Sequence, residues 1–423
     1  MKTIALLPDR LWDGTADQPA LGQAVLVRGR KIEAVCPQGD IPADQEVHRL
    51  EGCTLLPGLI DAHVHYSPVM GPAFLAAGVT TIRDVGNDLE SILALRESHR
   101  RDLAAGPGIV CCGYLLDGPK AYWPAMGRPH TDAAALRAAI RHEVERGVDA
   151  IKFYAGMDLE LLRSGVEEAH RLGKPTLAHL GEIRAEDAAA AGLDEIQHLT
   201  GCGAAWQKSS AAEMDALIDC FLAEKVVMTP TLVVWDRLGR ILDLSFAHDT
   251  RREWVHPTLL DIWTRYRSRF GPAAGRLRFQ EPVPSMKICL ARMQERGLTI
   301  ALGTDTPFPH LFPGFSVHDE LALYVDGGIK PVDALRSATS VGARVLGLEL
   351  SAGRIAPGRP ADLVAVRGNP LERIEDIAQV ECTFRGGRLF RPRQLLRAAR
   401  SHYDRQPEEA IFRDLLGYVN GTR

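Results

Sequence analysis

Short apolar strands alternate with helical stretches along the middle of this chain, from about residue 58 to residue 350. Segments suited to buried strands begin near Leu59, Val79, Gly108, Ala150, Pro175, Glu195, Val226 and Leu298. Helical patterns lie between or after them at 132–146, 159–172, 211–224 and 332–346. Asp132 is suited to cap the first helix and Gly147 to end it. Eight strand-then-helix units predict an α/β fold, a (β/α)8 TIM barrel.

A doubly wound open sheet is the competing arrangement, but no Gly-x-Gly-x-x-Gly turn follows an early strand. The two chain ends differ from the middle, because their short apolar runs broken by turns predict antiparallel strands. We therefore expect a small β-sandwich domain formed by both ends, residues 1–57 and 351–395, around a barrel at 58–350. The barrel carries a long helical insertion at about 235–296, and a helical tail follows at 396–423.

Composition and charge exclude several classes of partner. The chain has 50 basic and 54 acidic side chains, a formal net charge of −4, so no overall field favours nucleic acid or anionic lipid. No apolar run is long enough to span a membrane, and the first apolar run is too short for a signal peptide. Eight cysteines without a Cys-x-x-Cys motif predict reduced thiols and a cytoplasmic location.

Polar side chains occur at the ends of five of the predicted strands. His63 and His65 are two residues apart, so in a strand both point to the same side, and two neutral imidazoles there form a metal-binding pair. The other strand-end residues are Lys152, His179, His198 and Asp305. Such residues are costly in apolar strands unless they are paired or coordinated. The pattern predicts that all six meet at one rim of the barrel.

Four motifs give the chain a resemblance to a known family. They are LPGLIDAHVH at 56–65, GVTTIRD at 78–84, PVDALRSAT at 331–339 and GRIAPGRPADL at 353–363. The chain resembles the amidohydrolase superfamily, in the branch of imidazolonepropionases and prolidase-like Xaa-Pro dipeptidases. The resemblance extends over nearly the whole chain, and it is much more specific for the superfamily than for a substrate.

The resemblance implies a set of metal ligands. One divalent ion would be bound by His63, His65 and Asp305, and a second by His179 and His198. Lys152 would bridge them after its amine reacts with CO₂, because a carbamate offers two anionic oxygens whereas an ammonium group has no lone pair. Zinc suits these ligands, and manganese or cobalt could replace it.

The resemblance also implies a reaction. A hydroxide bridging the metals would attack a carbonyl group, and Asp305 would act as the catalytic residue that accepts a proton and delivers it to the leaving nitrogen. The expected activity is hydrolysis of a C–N bond, an amide, in a small molecule. A peptide-like or N-acyl amino acid is the leading substrate class. A cyclic amide, an ester or a lactone is the alternative.

Two rival functions stay open. His179 and Glu182 form a His-x-x-Glu motif, which in single-metal deaminases of the superfamily lets the glutamate shuttle protons to leaving ammonia. Lys152 would then have a structural role. A non-enzymatic scaffold is the second rival, and the presence of all six ligand candidates disfavours it.

Substrate contacts are less well specified by the sequence. Tyr154 follows Lys152 by two residues and could donate a hydrogen bond to a developing oxyanion, while Tyr122 and His130 could line the substrate cavity. Arg83 and Asp84 could form an ion pair that orients the site. The arginines at 237–278 could bind a substrate carboxylate or pair with nearby acidic residues. A small molecule is the expected partner, and a homo-oligomer remains open.

Overall fold

The computed structural model describes residues 3–43, 45–206, 209–268, 282–401 and 403–421. Part of the predicted insertion, from 269 to 281, lies outside these residues, as do residues 402, 422 and 423 of the predicted tail. Within the described ranges, no helix combines the length and the apolar character needed to cross a bilayer. The eight cysteines are free thiols, and six of them are buried.

Strands are numbered in chain order. Strands β1 to β17 span Thr3–Leu11, Ala20–Leu21, Gln23–Arg28, Lys31–Pro37, Glu46–Pro57, Leu59–Val64, Val79–Asp84, Gly108–Cys111, Leu115–Asp117, Gly127–Pro129, Ile151–Phe153, Thr176–Ala178, Glu195–Gln197, Val227–Thr229, Leu363–Arg367, Val380–Arg385 and Arg388–Phe390. Seven of the eight predicted strands of the middle region are present within two residues of their expected starts.

Helices are numbered in the same way. Helices α1 to α15 span Gly71–Ala76, Leu89–Arg101, Ala133–Arg146, Leu159–Arg171, Ala185–Ala190, Gly203–Trp206, Ala211–Ala223, Leu232–Gly239, Pro257–Arg267, Val283–Glu295, Ser316–Asp326, Pro331–Ser337, Ser340–Val345, Pro392–Arg400 and Ala410–Asn420. Short 3₁₀ helices occupy Gln38–Asp40, Pro68–Met70, Leu244–His248, Thr250–Trp254 and Ile374–Ala378.

The strands of the middle region are parallel and lie in two sheets. One has the order β10-β9-β11-β12-β13-β14, and the other β6-β7-β8. The segment 299–306, which holds the eighth predicted strand, runs between β14 and β6. It is joined to them by isolated pairs, Met228 with Ile300 and Val64 with Thr306. The parallel α/β prediction is confirmed. The described residues do not form one closed eight-stranded ladder, because 299–306 is joined only by these bridges and β8 has no strand pairing with the six-stranded sheet.

The two chain ends share one sheet. Its order is β17-β16-β15-β5-β1-β3-β4, with β2 beside β1, and β15 pairs antiparallel with β5. The predicted pairing of the ends is therefore present. The expected sandwich is not confirmed, since these strands form a single hydrogen-bonded sheet rather than two stacked ones. The domain boundaries stay a prediction.

Strand β15 joins the end sheet to the middle of the molecule. Successive side chains of a strand point to opposite faces. Val364 and Val366 belong to the large core of the middle region, whereas Leu363 and Ala365 belong to a separate core under the end sheet. Strand β15 therefore contributes to both cores.

Local signals set several helix ends. Asp132 accepts the N–H of Ala135 and begins α3, and Gly147 ends it with a φ of 98°, as predicted. The prediction of a single helix at 332–346 is wrong. The backbone leaves the helical conformation at Thr339 (φ −138°, ψ −100°), so two helices form, α12 and α13. The predicted tail contains α14 and α15, and α15 packs on the molecule through buried Ile411, Phe412 and Leu415.

Candidate metal centre and substrate cavity

The six strand-end residues predicted from the sequence line one cavity of about 520 Å³. They are His63, His65, Lys152, His179, His198 and Asp305. His63 lies in β6 and Lys152 in β11, while His179 and His198 directly follow β12 and β13. Parallel strands bring their carboxyl ends to the same edge, so residues far apart in the chain meet there.

The imidazole rings and the carboxylate are close together. Nε2 of His63 lies 3.2 Å from Oδ1 of Asp305, and Nε2 of His65 lies 3.5 Å from the same oxygen. The ring centroids of His63 and His198 are 4.4 Å apart, and those of His179 and His198 are 4.7 Å apart. Potential ligand atoms of His63, His198 and Asp305 all lie within 4.8 Å of one another.

Hydrogen bonds select the tautomers of the two histidines near the end of β6. Nδ1 of His65 lies 2.9 Å from the carbonyl oxygen of Gly86, which can only accept, so Nδ1 carries the proton and Nε2 keeps its lone pair. Nδ1 of His63 contacts Oε1 of Gln197. Burial lowers the pKa of His65 to about 4 and that of His63 well below its ordinary value. Both rings are therefore neutral and direct Nε2 toward Asp305.

A buried ion pair fixes the orientation of Gln197. Although burial alone would raise the pKa of Glu195, the Arg83 guanidinium and the hydrogen bonds around it hold that pKa below its ordinary value. Glu195 is thus a carboxylate, and it accepts a hydrogen bond from Nε2 of Gln197 at 2.7 Å. The amide oxygen of Gln197 is left to face His63. Arg83 pairs with Glu195, so the expected pair with Asp84 is wrong.

Two of the candidate ligands have a left-handed backbone. His198 has a φ of 62° and Asp305 a φ of 63°, a region that only a few per cent of non-glycine residues adopt, with Asp and His enriched among them. The ring of His198 is held by Thr231, whose Oγ1 lies 2.6 Å from Nδ1. Asp61 accepts hydrogen bonds from the N–H and the hydroxyl of Thr304, at 3.1 and 2.7 Å, and so fixes the residue before Asp305.

Lys152 and Asp305 titrate near neutrality. Burial lowers the pKa of Lys152 to about 7 and raises the pKa of Asp305 to about 7. Both residues are less than a tenth exposed. A lysine with this pKa is a neutral amine for part of the time, and only a neutral amine has the lone pair that reacts with CO₂.

The donor set fits a metal centre. Nζ of Lys152, Nε2 of His63 and Oδ1 of Asp305 are buried, and none of them makes a hydrogen bond within the described part of the chain. Buried polar atoms usually have a hydrogen-bond partner. Three such atoms without one, all facing the same cavity, indicate a binding partner such as a metal ion. Neutral imidazoles and a carboxylate are ligands that zinc prefers. These residues would hold a metal ion without rearrangement of their tautomers.

Aromatic side chains form most of the remaining wall. They are Tyr122, Trp123, Tyr154, Trp206, Trp235, Tyr266, Phe308 and Tyr418. Tyr154 and Tyr122 thus lie where the sequence predicts, and the oxygen of Tyr154 accepts a hydrogen bond from Nε1 of Trp123 at 2.8 Å. His130 is buried but is not among the lining residues, so the prediction that it lines the cavity is wrong. It directly follows β10, which lies at the outer edge of the sheet.

The insertion after β14 contributes to the wall through Trp235 and Tyr266. Its described arginines mainly pair with acidic neighbours. Arg237 lies 2.8 Å from Asp319, and Arg251 makes ion pairs with Asp319 and Asp249. These arginines are not among the described residues of the cavity. Arg269, Arg276 and Arg278 of the same stretch lie outside the described residues.

Sequence reasoning missed several residues of the site. Gln197 and Thr231 hold histidine rings, and Tyr418 lines the cavity from the last helix. Gln197 could have been found, because it is two residues from Glu195 in a short strand and shares its face. No local signal marks Tyr418, since its position depends on how α15 packs.

Comparison with known proteins adds a family. The sequence profile described as the amidohydrolase family matches residues 54–390. An ochratoxinase of Aspergillus niger is 23% identical over 447 aligned positions, covering 88% of this chain and 84% of that protein. A 5-methylthioadenosine/S-adenosylhomocysteine deaminase of Moorella thermoacetica is 26% identical over 377 positions, covering 82% of each.

A solved structure has the same fold. The crystal structure of a Xaa-Pro dipeptidase with bound methionine in its active site superimposes with a TM-score of 0.71 at 22% identity. The match covers 92% of this chain and 100% of that one. The likeness extends through both the parallel strands and the end sheet.

Proposed function

The chain belongs to the amidohydrolase family, and from this premise we propose that it is a metal-dependent hydrolase that cleaves the C–N bond of an amide in a small molecule. The convergence of four histidines, a buried lysine and a buried aspartate on one cavity supports this proposal most strongly. Peptide-like and N-acyl amino acid substrates remain the leading class. We also propose that segment 299–306 closes the parallel strands into a barrel.

Two divalent ions are part of the proposal, and zinc suits the ligands best. His63, His65 and Asp305 would hold one ion, His179 and His198 the other, and a carbamate on Lys152 would join them. When bound, such ions lower the pKa of water and polarise a carbonyl oxygen. The raised pKa of Asp305 and the lowered pKa of Lys152 are consistent with these roles.

The protein's own groups would manage protons and orientation. Asp305 is placed to take a proton during attack on the carbonyl and to return it to the leaving nitrogen, for which a pKa near 7 is favourable. The hydroxyl of Tyr154 could donate to the developing oxyanion, because its oxygen already accepts from Trp123. The aromatic side chains that line the cavity would exclude bulk water from the reaction.

Replacement of Lys152 tests the proposal. Protein made in zinc and bicarbonate should contain about two metal ions per chain, and Lys152→Ala should contain fewer and lose amide hydrolysis. Short carboxylic acids such as formate or acetate should restore part of the activity of this variant, since they offer two oxygens in the vacated space. Elemental analysis and initial rates give both readouts. Two metals with full activity in Lys152→Ala would exclude the bridging role.

A single-metal deaminase is the second candidate. Glu182 lines the cavity beside His179, as the His-x-x-Glu motif requires, and one curated relative is named as a deaminase. Ammonia release from amino-substituted heterocycles, measured alongside amine release from N-acyl amino acids, separates the two. One metal per chain with ammonia release would favour the deaminase.

A further inference from the structure

The last helix of the described chain is firmly attached beside the cavity. In α15, the buried Asp414 carboxylate accepts the backbone N–H groups of Ala125 and Met126, both at 2.9 Å. Asn420 accepts a hydrogen bond from Arg265 at 2.7 Å. The helix is therefore tied both to the loop after β9 and to α9.

Tyr418 joins this helix to a row of aromatic rings. Its ring stacks on that of Tyr266 at 4.7 Å with an interplanar angle of 23°. The ring of Trp123 is 6.2 Å from Tyr418 and 5.6 Å from Phe308. All four residues line the cavity. We call these four residues the aromatic wall.

The aromatic wall reaches the candidate metal centre. Trp123 donates a hydrogen bond to the oxygen of Tyr154, and the ring of Tyr154 is 4.8 Å from the ring of His179. A substrate whose reacting bond lies near His179 would therefore extend along Tyr154 and Trp123 toward Tyr418. The side group of that substrate would contact ring faces and edges.

Aromatic surfaces distinguish ligands by more than their size. A ring carries a negative face and a positive edge, so a second ring packs against it edge-to-face or offset with an extra gain beyond area burial. An aliphatic ring of similar volume buries comparable area but lacks this electrostatic complement. A wall of four rings thus favours a planar aromatic group.

We propose that helix α15 completes the substrate-binding site and that Tyr418, with the rest of the aromatic wall, selects amides that carry an aromatic ring. This inference rests on the proposed function, because it names the substrate class for the same site. Tyr418 is a specificity-determining residue in this proposal, and Asp414 is the residue that positions its helix.

A matched pair of substrates tests the selection. N-acetyl-phenylalanine and N-acetyl-cyclohexylalanine differ only in the aromatic character of one ring. The wild type should prefer the phenyl compound in kcat/KM by about 2- to 12-fold. Tyr418→Ala should raise KM for the phenyl compound by a similar factor, leave kcat nearly unchanged, and remove the preference.

Two further variants control for folding. Tyr418→Phe keeps the ring and should keep the preference. Arg413→Ala changes an exposed residue of the same helix and should behave as the wild type. Circular dichroism and thermal unfolding of each variant show whether the helix remains attached. If Tyr418→Ala does not fold, Tyr266→Leu replaces it, because Tyr266 is the stacking partner.

A binding measurement separates this inference from the proposed function. N-benzylmethanesulfonamide and N-(cyclohexylmethyl)methanesulfonamide resist hydrolysis, and their affinities for the metal-loaded protein can be measured by calorimetry. If the wild type hydrolyses neither substrate but binds the benzyl compound more tightly through Tyr418, amide hydrolysis fails as the function, while the selection of aromatic groups by Tyr418 stands. Equal affinities for the two compounds, or a preference that survives in Tyr418→Ala, would overturn the inference.

Discussion

His63 can offer Nε2 to a metal because Gln197 keeps the proton on Nδ1. Gln197 does so because the Glu195 carboxylate fixes its amide group, and Glu195 is in turn held by Arg83. This chain of contacts begins with an ion pair that is buried among parallel strands. One partner alone would be an uncompensated buried charge, so the four residues act as a unit.

Gln197→Met tests this unit. Methionine has a similar length, but its thioether sulfur accepts only a weak hydrogen bond from Nδ1–H, so His63 loses the strong contact that orients its ring. Zinc affinity should fall about 10- to 100-fold. Competition with a chromogenic chelator measures the affinity directly.

Thr229→Val is the control for Gln197→Met. It also removes a hydrogen bond to Glu195, at 2.5 Å, but among the described residues the Thr229 side chain makes no hydrogen bond to a histidine ring. Its zinc affinity should stay within a few-fold of the wild type. An equal loss of zinc affinity in Gln197→Met and Thr229→Val would mean that Gln197 acts through packing and not by fixing the tautomer of His63.

The meeting of the six candidate ligands at one cavity was predictable from the sequence, and the residues that hold them in place were not. His63 and His65 are marked by a spacing of two, and the others by their positions at strand ends. Gln197 is a neutral amide that resembles many others, and its role depends on Arg83, which is 114 residues earlier in number. Such a contact exists only once β7 and β13 are assembled.

At the scale of elements, α8 begins on a carboxyl group from another helix. Glu320 in α11 accepts the backbone N–H groups of Leu232 and Val233, at 2.8 and 2.6 Å. These are among the first N–H groups of α8, which have no partner inside the helix. Thr231, which contacts His198, directly precedes them. The side chain of one helix therefore sets where another helix starts beside the candidate site.

Glu320 also gives a prediction about pH. Burial raises its pKa from 4.5 to about 8, although the two N–H donors oppose the shift. Between these values the folded protein holds a proton that the unfolded chain has released. The free energy of unfolding should therefore fall as pH rises from about 4.5 to 8, by up to about 1.4 kcal/mol per pH unit.

Glu320→Gln removes this proton but keeps an oxygen acceptor. Urea denaturation at several pH values should show a weaker fall in stability for this variant than for the wild type. Glu145→Gln, at an exposed position, should keep the wild-type slope. If the free energy of unfolding of Glu320→Gln fell with pH as steeply as that of the wild type, Glu320 would not be the group that causes the fall.

Helix ends with local signals were predictable, and those set by tertiary contacts were not. Asp132 and Gly147 gave both ends of α3 within one residue. Thr231 has a φ of 47° and its side chain makes no capping hydrogen bond, so the local sequence contains no signal for the start of α8. The interruption between α12 and α13 at Thr339 also has no local sequence signal.

On the scale of the whole molecule, the two ends of the chain are joined through β15 and β5. Val364 is fully buried and packs over Gly78, where an added Cβ would lie 2.6 Å from one of its methyl groups. Gly78 has a φ of 81° and leads into β7. The end sheet thus rests on the start of a parallel strand, and the candidate metal centre lies at the opposite end of the parallel strands.

Val364→Ala tests this connection. Loss of two buried methyl groups should lower the free energy of unfolding by about 1.5–3 kcal/mol. The zinc content and the kinetic constants should not change, since no candidate ligand contacts this residue. Denaturant titration and elemental analysis measure the two quantities.

Arg367→Ala is the matched control in the same strand. Its side chain is 63% exposed and pairs with Glu381, so its loss should cost less than about 1 kcal/mol. A large loss of metal in Val364→Ala would mean that the end sheet influences the site.

The sequence predicted that the ends pair, but the way β15 contributes to two cores depends on packing.

The left-handed backbone of His198 and Asp305 has an evolutionary consequence. Asparagine and glycine adopt this conformation more readily than most residues. A single substitution of either kind would delete a ligand without straining the backbone, so selection for folding alone would not oppose it. Descendants of such a chain can lose a ligand, and with it the activity, through one substitution. They would still fold and could acquire a non-catalytic function.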